Sequence, residues 1–146
     1  MHLAHYEIKS EGTYTVFEFT STGIKGEITK LIIFSKTNKR GVYNLAFGDK
    51  IKKSDEIDDL IISNNGDGLK VLATVVFALY IFTEKHKNCW IYIEGSTKAR
   101  TRLYRMGISK YFALVKLDFF IMGLYGEDWS EFEKYINYDA FIVRRK

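Results

Sequence analysis

Basic side chains crowd one stretch of this 146-residue chain. Gly95 to Leu117 holds Lys98, Arg100, Arg102, Arg105, Lys110 and Lys116 and no acid. On a helix Lys98, Arg102 and Arg105 fall at i, i+4 and i+7, which aligns them as a cationic ridge. Guanidinium groups suit two-pronged phosphate contacts, so RNA, DNA or a nucleotide phosphate fits this ridge, with Ser96, Thr97 and Thr101 adding hydroxyls. A solvated helix face whose cations pair with Glu7, Glu18, Asp58 or Asp59 fits the same pattern.

A second candidate is the loop Ser63-Asn64-Asn65-Gly66-Asp67-Gly68. Glycine lets backbone N–H groups approach an anion and a helix N-terminus adds partial positive charge. Asn65, Gly66 and Gly68 can therefore cradle a phosphate, with Lys70 as the nearest cation. Asp67 puts a carboxylate where that phosphate would sit, and an Asx-rich turn that starts a helix accounts for every residue as well. Asp55, Glu56, Asp58 and Asp59 form an acidic cluster. Such a cluster binds Mg²⁺, supplies a general base, or makes a polar turn at the entry of a strand. His2, His5, His86 and Cys89 offer only the pair His86-x-x-Cys89, two ligands where zinc needs more, so no metal is expected. His86 reads as the cap of a helix end and Cys89 as a buried small hydrophobe. No Ser-His-Asp or Cys-His nucleophile can be argued from spacing. The terminal Arg144-Arg145-Lys146 either extends the basic surface or keeps an edge strand from pairing.

The scaffold for these groups is legible from composition. A chain that is 47% hydrophobic, 16% aromatic and 27% charged builds a packed core and is not disordered. Its length and lack of linkers fit one domain over residues 1–146. A formal net charge of +4 permits an anionic partner without demanding one. Cys89 stands alone, so no intramolecular disulfide forms, and Met1 to Glu7 carry no signal-peptide pattern. A cytoplasmic home is the expectation. The longest apolar run, Val71 to Phe82, is shorter than the ~20 residues of a membrane span, so no membrane association is expected.

Two-residue alternation marks strands at Tyr14 to Thr20, Ile28 to Phe34 and Val42 to Phe47, with a short edge at Tyr6 to Lys9 and a fourth strand at Leu60 to Ile62. Leu69 to about Lys85 reads as a helix apolar nearly all round, which belongs inside a fold, with Asp67 as its N-cap or first-turn acid. Trp90 to Ile93 is a strand. A second helix is capped by Ser96 or Thr97, with Ala99, Leu103 and Met106 as its core stripe and Gly107 as its terminator. Phe112 to Tyr125 and Tyr138 to Val143 read as a closing hairpin, although Ser130 to Ile136 also suits a helical turn. The expected fold is α+β (mixed α/β), a twisted, largely antiparallel sheet of about six to seven strands with two main helices, ordered β-β-β-β-α-β-α-β-β.

That order resembles the core of the GNAT N-acetyltransferase superfamily: an antiparallel meander, a helix entered through a glycine-bearing loop, a strand, another helix and a final hairpin. Ser63 to Gly68 is similar to its pyrophosphate loop Q/R-x-x-G-x-G/A, with Ser63 in place of Gln or Arg. Ser96-Thr97-Lys98-Ala99, Leu103-Tyr104 and Gly107-Ile108 are similar to its later helix motif, with Tyr104 one place late. The resemblance spans roughly residues 28–125 and lacks the two helices that usually follow the first strand. It implies acetyl-CoA or another acyl-CoA held at Asn65, Gly66, Gly68 and Lys70. It also implies acyl transfer to an amine, with Asp58 or Asp59 as base and Tyr104 as acid toward the leaving thiolate. Tyr104 beside Leu103 equally reads as packing. Tyr43 to Asp49, Asp58 to Leu60, Lys70 to Thr74, Gly95 to Thr97 and Gly107 to Tyr111 also resemble a family of small uncharacterised bacterial proteins, a domain of unknown function.

Two functions follow as expectations. One is a GNAT-like domain that binds acyl-CoA and acylates an amine. The other is a non-catalytic binding module whose Lys98, Arg100, Arg102, Arg105 and Lys110 engage nucleic acid or an acidic protein, such as a partner in a toxin–antitoxin or defence pair.

Overall fold

Alternating apolar residues in the first fifty positions form hairpins in the computed structural model, which describes residues 4–58 and 63–146. The expected strand at Leu60 to Ile62, together with His2 and Asp59, lies outside the described residues. The short strand β1 (Lys9–Ser10) is followed by β2 (Val16–Gly23), β3 (Gly26–Lys36) and β4 (Val42–Asp49). Then come α1 (Gly68–Lys85), β5 (Trp90–Ile93), α2 (Lys98–Val115), β6 (Phe119–Tyr125), β7 (Asp128–Glu131) and β8 (Ala140–Arg145). The fold is α+β, with an eight-stranded, mostly antiparallel sheet in the order β1-β2-β3-β4-β5-β8-β6-β7. The parallel pair is β4 with β5, and α1 is the crossover that such a pair requires.

The chain divides into two compact units, Met1–Phe34 with Ala46–Lys85 and Ser35–Leu45 with His86–Lys146. In the first, Phe17, Phe19 and Ser21 of β2 point inward at every second position. β2 and β3 pair from Val16 opposite Ile33 to Gly23 opposite Gly26, through a two-residue turn that Gly26 closes at φ +83. No residue of α1 from Val71 to Thr83 is exposed, as its unbroken apolar run demands. Its Phe82 ring stacks on Phe34 at 4.1 Å, and the buried Thr74 and Thr83 hydroxyls donate to the carbonyls of Lys70 and Leu79. Lys30 and Asp49 form a buried ion pair at 2.5 Å.

In the second unit β8 lies between β5 and β6, with Val143 opposite both Ile91 and Ile121. Phe132, Tyr138 and Phe141 pack ring against ring, and Phe112 adds a contact from α2. Several expectations are corrected here. α2 does not stop at Gly107 but runs to Val115, so Phe112 to Val115 is helix and the strand begins only at Phe119. One glycine inside a helix costs about 1 kcal/mol, which the packing of the following turns offsets. The inner face of α2 is Arg100, Tyr104, Gly107 and Val115, whereas Ala99 and Met106 are exposed and Leu103 is half-buried. Residues 128–131, expected as a connection, form β7, because Gly126 at φ +65 makes a two-residue hairpin turn. The leading edge strand is Lys9–Ser10 rather than Tyr6 to Lys9.

Candidate functional site

Thr97 starts α2 from an extended conformation, its hydroxyl oxygen accepting from the Arg100 N–H at 3.2 Å. Thr101 accepts from the Gly95 N–H and donates to the Thr97 carbonyl, which folds the strand exit onto the first helical turn. Gly95 permits this closeness, since a Cβ there would stand 2.4 Å from Arg100 Cβ and from Thr101 N. The result is a cleft of about 860 Å³. Ser96, Lys98, Thr101, Arg102 and Arg105 line one wall, and residues 137–139 line the other.

Lys98 and Arg102 are exposed and Arg105 is half-buried, its guanidinium donating to Asn137 Oδ1 across the cleft. The ion pairs of Lys30 with Asp49 and of Lys50 with Glu18 do not involve Lys98, Arg102 or Arg105. Glu18, a candidate partner for the ridge, is thus taken by Lys50. Two acids line the cleft as well. Glu94 accepts from the Tyr92 hydroxyl at 2.6 Å, and burial together with that bond pushes the Tyr92 hydroxyl up to about 12. Asp139 accepts from the Gly126 N–H at 3.0 Å. Both carboxylates therefore have donors of their own, and Lys98 and Arg102 face solvent. Arg100 is a correction: it is 6% exposed, because it lies on the inner face with Tyr104, and it is not part of the basic surface. Lys110 is exposed but stands about 80° round the helix from Arg102, outside the cleft.

The glycine-bearing loop spends its polar groups on the β2–β3 hairpin. Asn65 is 2% exposed. Its Oδ1 accepts from the Lys25 N–H at 2.6 Å, and its Nδ2 donates to Ser21 Oγ and to the Gly26 carbonyl. Its carbonyl accepts from the Ile24 N–H, and a Cβ at Gly23 would collide with that oxygen at 1.9 Å. The Gly66 N–H donates to Asn64 Oδ1, an Asx turn with Gly66 at φ +78. Asp67 accepts from the Tyr6 and Ser21 hydroxyls, each at 2.5 Å, and the Lys70 ammonium lies 4.3 Å from the Tyr6 ring centre. Gly68 begins α1 with open space where a Cβ would go.

Asp58 is half-buried in the first unit, and its N–H donates to the Asp49 carbonyl at 2.7 Å. Ser54 organises the preceding acidic segment as a polar turn, its hydroxyl accepting from the Glu56 N–H while Lys50 bridges to Ile57. Tyr104 is 7% exposed within α2's inner face in the second unit. Cys89 is buried, which raises its thiol, and it donates to the His86 carbonyl at 3.0 Å. Among the described residues no group of three or more His, Cys, Asp or Glu side chains converges as a metal site, and no helix is long and apolar enough to cross a membrane. Neither charge nor glycine spacing marks the wall at residues 137–139. Its signal is the aromatic spacing Phe132-x-x-Tyr135-x-x-Tyr138, which places two rings in the core and one outside.

Fold and cleft together define an α+β protein that presents cations at the start of its second helix. Over residues 2–146 the chain matches the Family of unknown function (DUF6934), and it belongs to that family. No curated protein and no solved structure matches it.

Proposed function

We propose that this protein is a binding module for nucleic acid, engaged through the cleft beside α2. The observation that carries this reading is the convergence of Lys98, Arg102 and Arg105 with Ser96 and Thr101 on one cleft, with no ion pair to the ridge among the described residues. The ridge runs about 10 Å along the helix, a length over which one strand of a duplex carries about three phosphates. The α2 N-terminus adds favourable partial charge at the same end. Labelled oligonucleotide titrated with protein across a salt series tests the reading. Binding should weaken steeply with salt, and R102E/R105E should abolish it at a cost in stability of no more than about 1.5 kcal/mol, the loss of the Arg105–Asn137 bond. Salt-independent binding, or unchanged binding in the double variant, would overturn it.

A second reading, acyl transfer from acyl-CoA to an amine, is favoured by the element order, which keeps the GNAT-like meander, helix, strand, helix and terminal strands. In that reading Asn65 to Gly68 and Lys70 hold the cofactor, and Asp58, Asp59 and Tyr104 move protons. Weighing against it, the loop's carboxamide already bonds the β2–β3 hairpin and Asp67 occupies the helix start. Thermal shift with acetyl-CoA separates the two readings, since a ligand at 100 times its Kd adds about 2.7 kcal/mol.

A further inference from the structure

A second cleft, of about 590 Å³, adjoins the cationic one and shares Asn137 and Tyr138 with it. Its other lining residues include Tyr125, Asp128 and Tyr135. Tyr135 is 98% exposed and Tyr125 is 63% exposed, so both rings offer faces to solvent. The loop that carries Tyr135 is firmly held. Phe132 and Tyr138 anchor it in the core, the Glu133 N–H donates to the Tyr138 hydroxyl, and Arg105 ties Asn137 to α2. Tyr135 itself sits at φ +74, a left-handed conformation that costs a non-glycine residue about 1–2 kcal/mol. Such strain on a ring without burial offers nothing to packing, and strain of this kind clusters at ligand clamps.

Resting on the nucleic-acid reading above, we infer that the ligand is single-stranded, its phosphates on Lys98, Arg102 and Arg105 and its bases on Tyr135 and Tyr125. Charge and ring lie in adjoining clefts, the combination that single-strand binders use: a basic track for the backbone and aromatic faces on which unpaired bases stack. A duplex keeps its bases paired and stacked inside and has none to offer these rings. An acidic protein would satisfy the cations too, and the competition below tests for it.

The test is fluorescence anisotropy at low salt with labelled 12-nucleotide oligouridylate, oligothymidylate and a mixed-sequence duplex, and with poly-glutamate as competitor. The proteins are the wild type, Y135A, Y125A and R102E/R105E. The expected result is at least tenfold tighter binding of a single strand than of duplex. Y135A should weaken single-strand binding about tenfold and leave duplex binding unchanged, since one stacked base is worth ~1–3 kcal/mol. Tyr135 is solvent-exposed, so its variant keeps the wild-type melting curve. Equal binding of strand and duplex, unaltered in both tyrosine variants but lost in R102E/R105E, would overturn the base platform and leave the nucleic-acid reading standing. Failure of the wild type to bind any oligonucleotide would overturn both. Displacement by poly-glutamate at matched charge would also overturn both, in favour of an acidic protein partner.

Discussion

Removing the Asn65 carboxamide strips hydrogen bonds from the Lys25 N–H, the Ser21 hydroxyl and the Gly26 carbonyl at a site that is 2% exposed. Each lost bond is worth about 1 kcal/mol and more when the partner stays buried, so N65A should cost about 2–3 kcal/mol in urea unfolding. Lys70 is exposed above Tyr6, and K70A should cost less than about 1 kcal/mol in the same assay. Loss at Lys70 equal to that at Asn65 would contradict this division. The Asx turn of this loop was legible in Asn64, Asn65 and Gly66, because those bonds are local. The clamp on β2–β3 was not, since Ser21, Lys25 and Gly26 lie some forty residues away and nothing in the loop points to them.

Helix α2 was legible in its start and its cations but not in its rotation. Two stripes compete at the same period: Ala99, Leu103 and Met106 are apolar by type, whereas the inner face carries Arg100 and Gly107 beside Tyr104 and Val115. The apolar-looking stripe lost because burial follows what the neighbouring strands and loops can accommodate, and residue type is only a prior for that. The difference is measurable. Met106 is 51% exposed and M106A should change stability by less than ~0.5 kcal/mol, while Tyr104 is 7% exposed and Y104A should cost ~3 kcal/mol or more. Equivalent losses would mean that the helix is rotated toward the stripe read from the sequence. By contrast the burial of α1 was legible, since a helix apolar on every side has no wrong rotation, but Asp67, expected to cap it, turns its carboxylate to the Tyr6 and Ser21 hydroxyls.

At the scale of the molecule, the succession of elements was legible except for β7, because hydrophobic period and turn residues are local signals. The neighbours in the sheet were not, and the insertion of β8 between β5 and β6 has no local signature. No local signal shows that Lys30, next to the apolar run Leu31 to Phe34, meets Asp49 with only 4% of its side chain exposed. Breaking such a pair leaves a buried charge, so K30M should cost about 3–5 kcal/mol, a large share of the ~5–15 kcal/mol typical of a whole domain. K30M/D49L removes both charges and should recover most of the loss, read as the melting temperature of each variant. A double variant no better than the single would place the damage in packing.

The two outermost strands carry a consequence for behaviour at high concentration. β1 is two residues long and β7 is four, with Asp128 and Glu131 at the ends of β7. Open strand edges recruit other chains when they are long, flat and apolar. Edges this short, one of them framed by carboxylates, give a misfolded neighbour little to zip onto, so the chain is guarded against edge-to-edge aggregation and fibre growth.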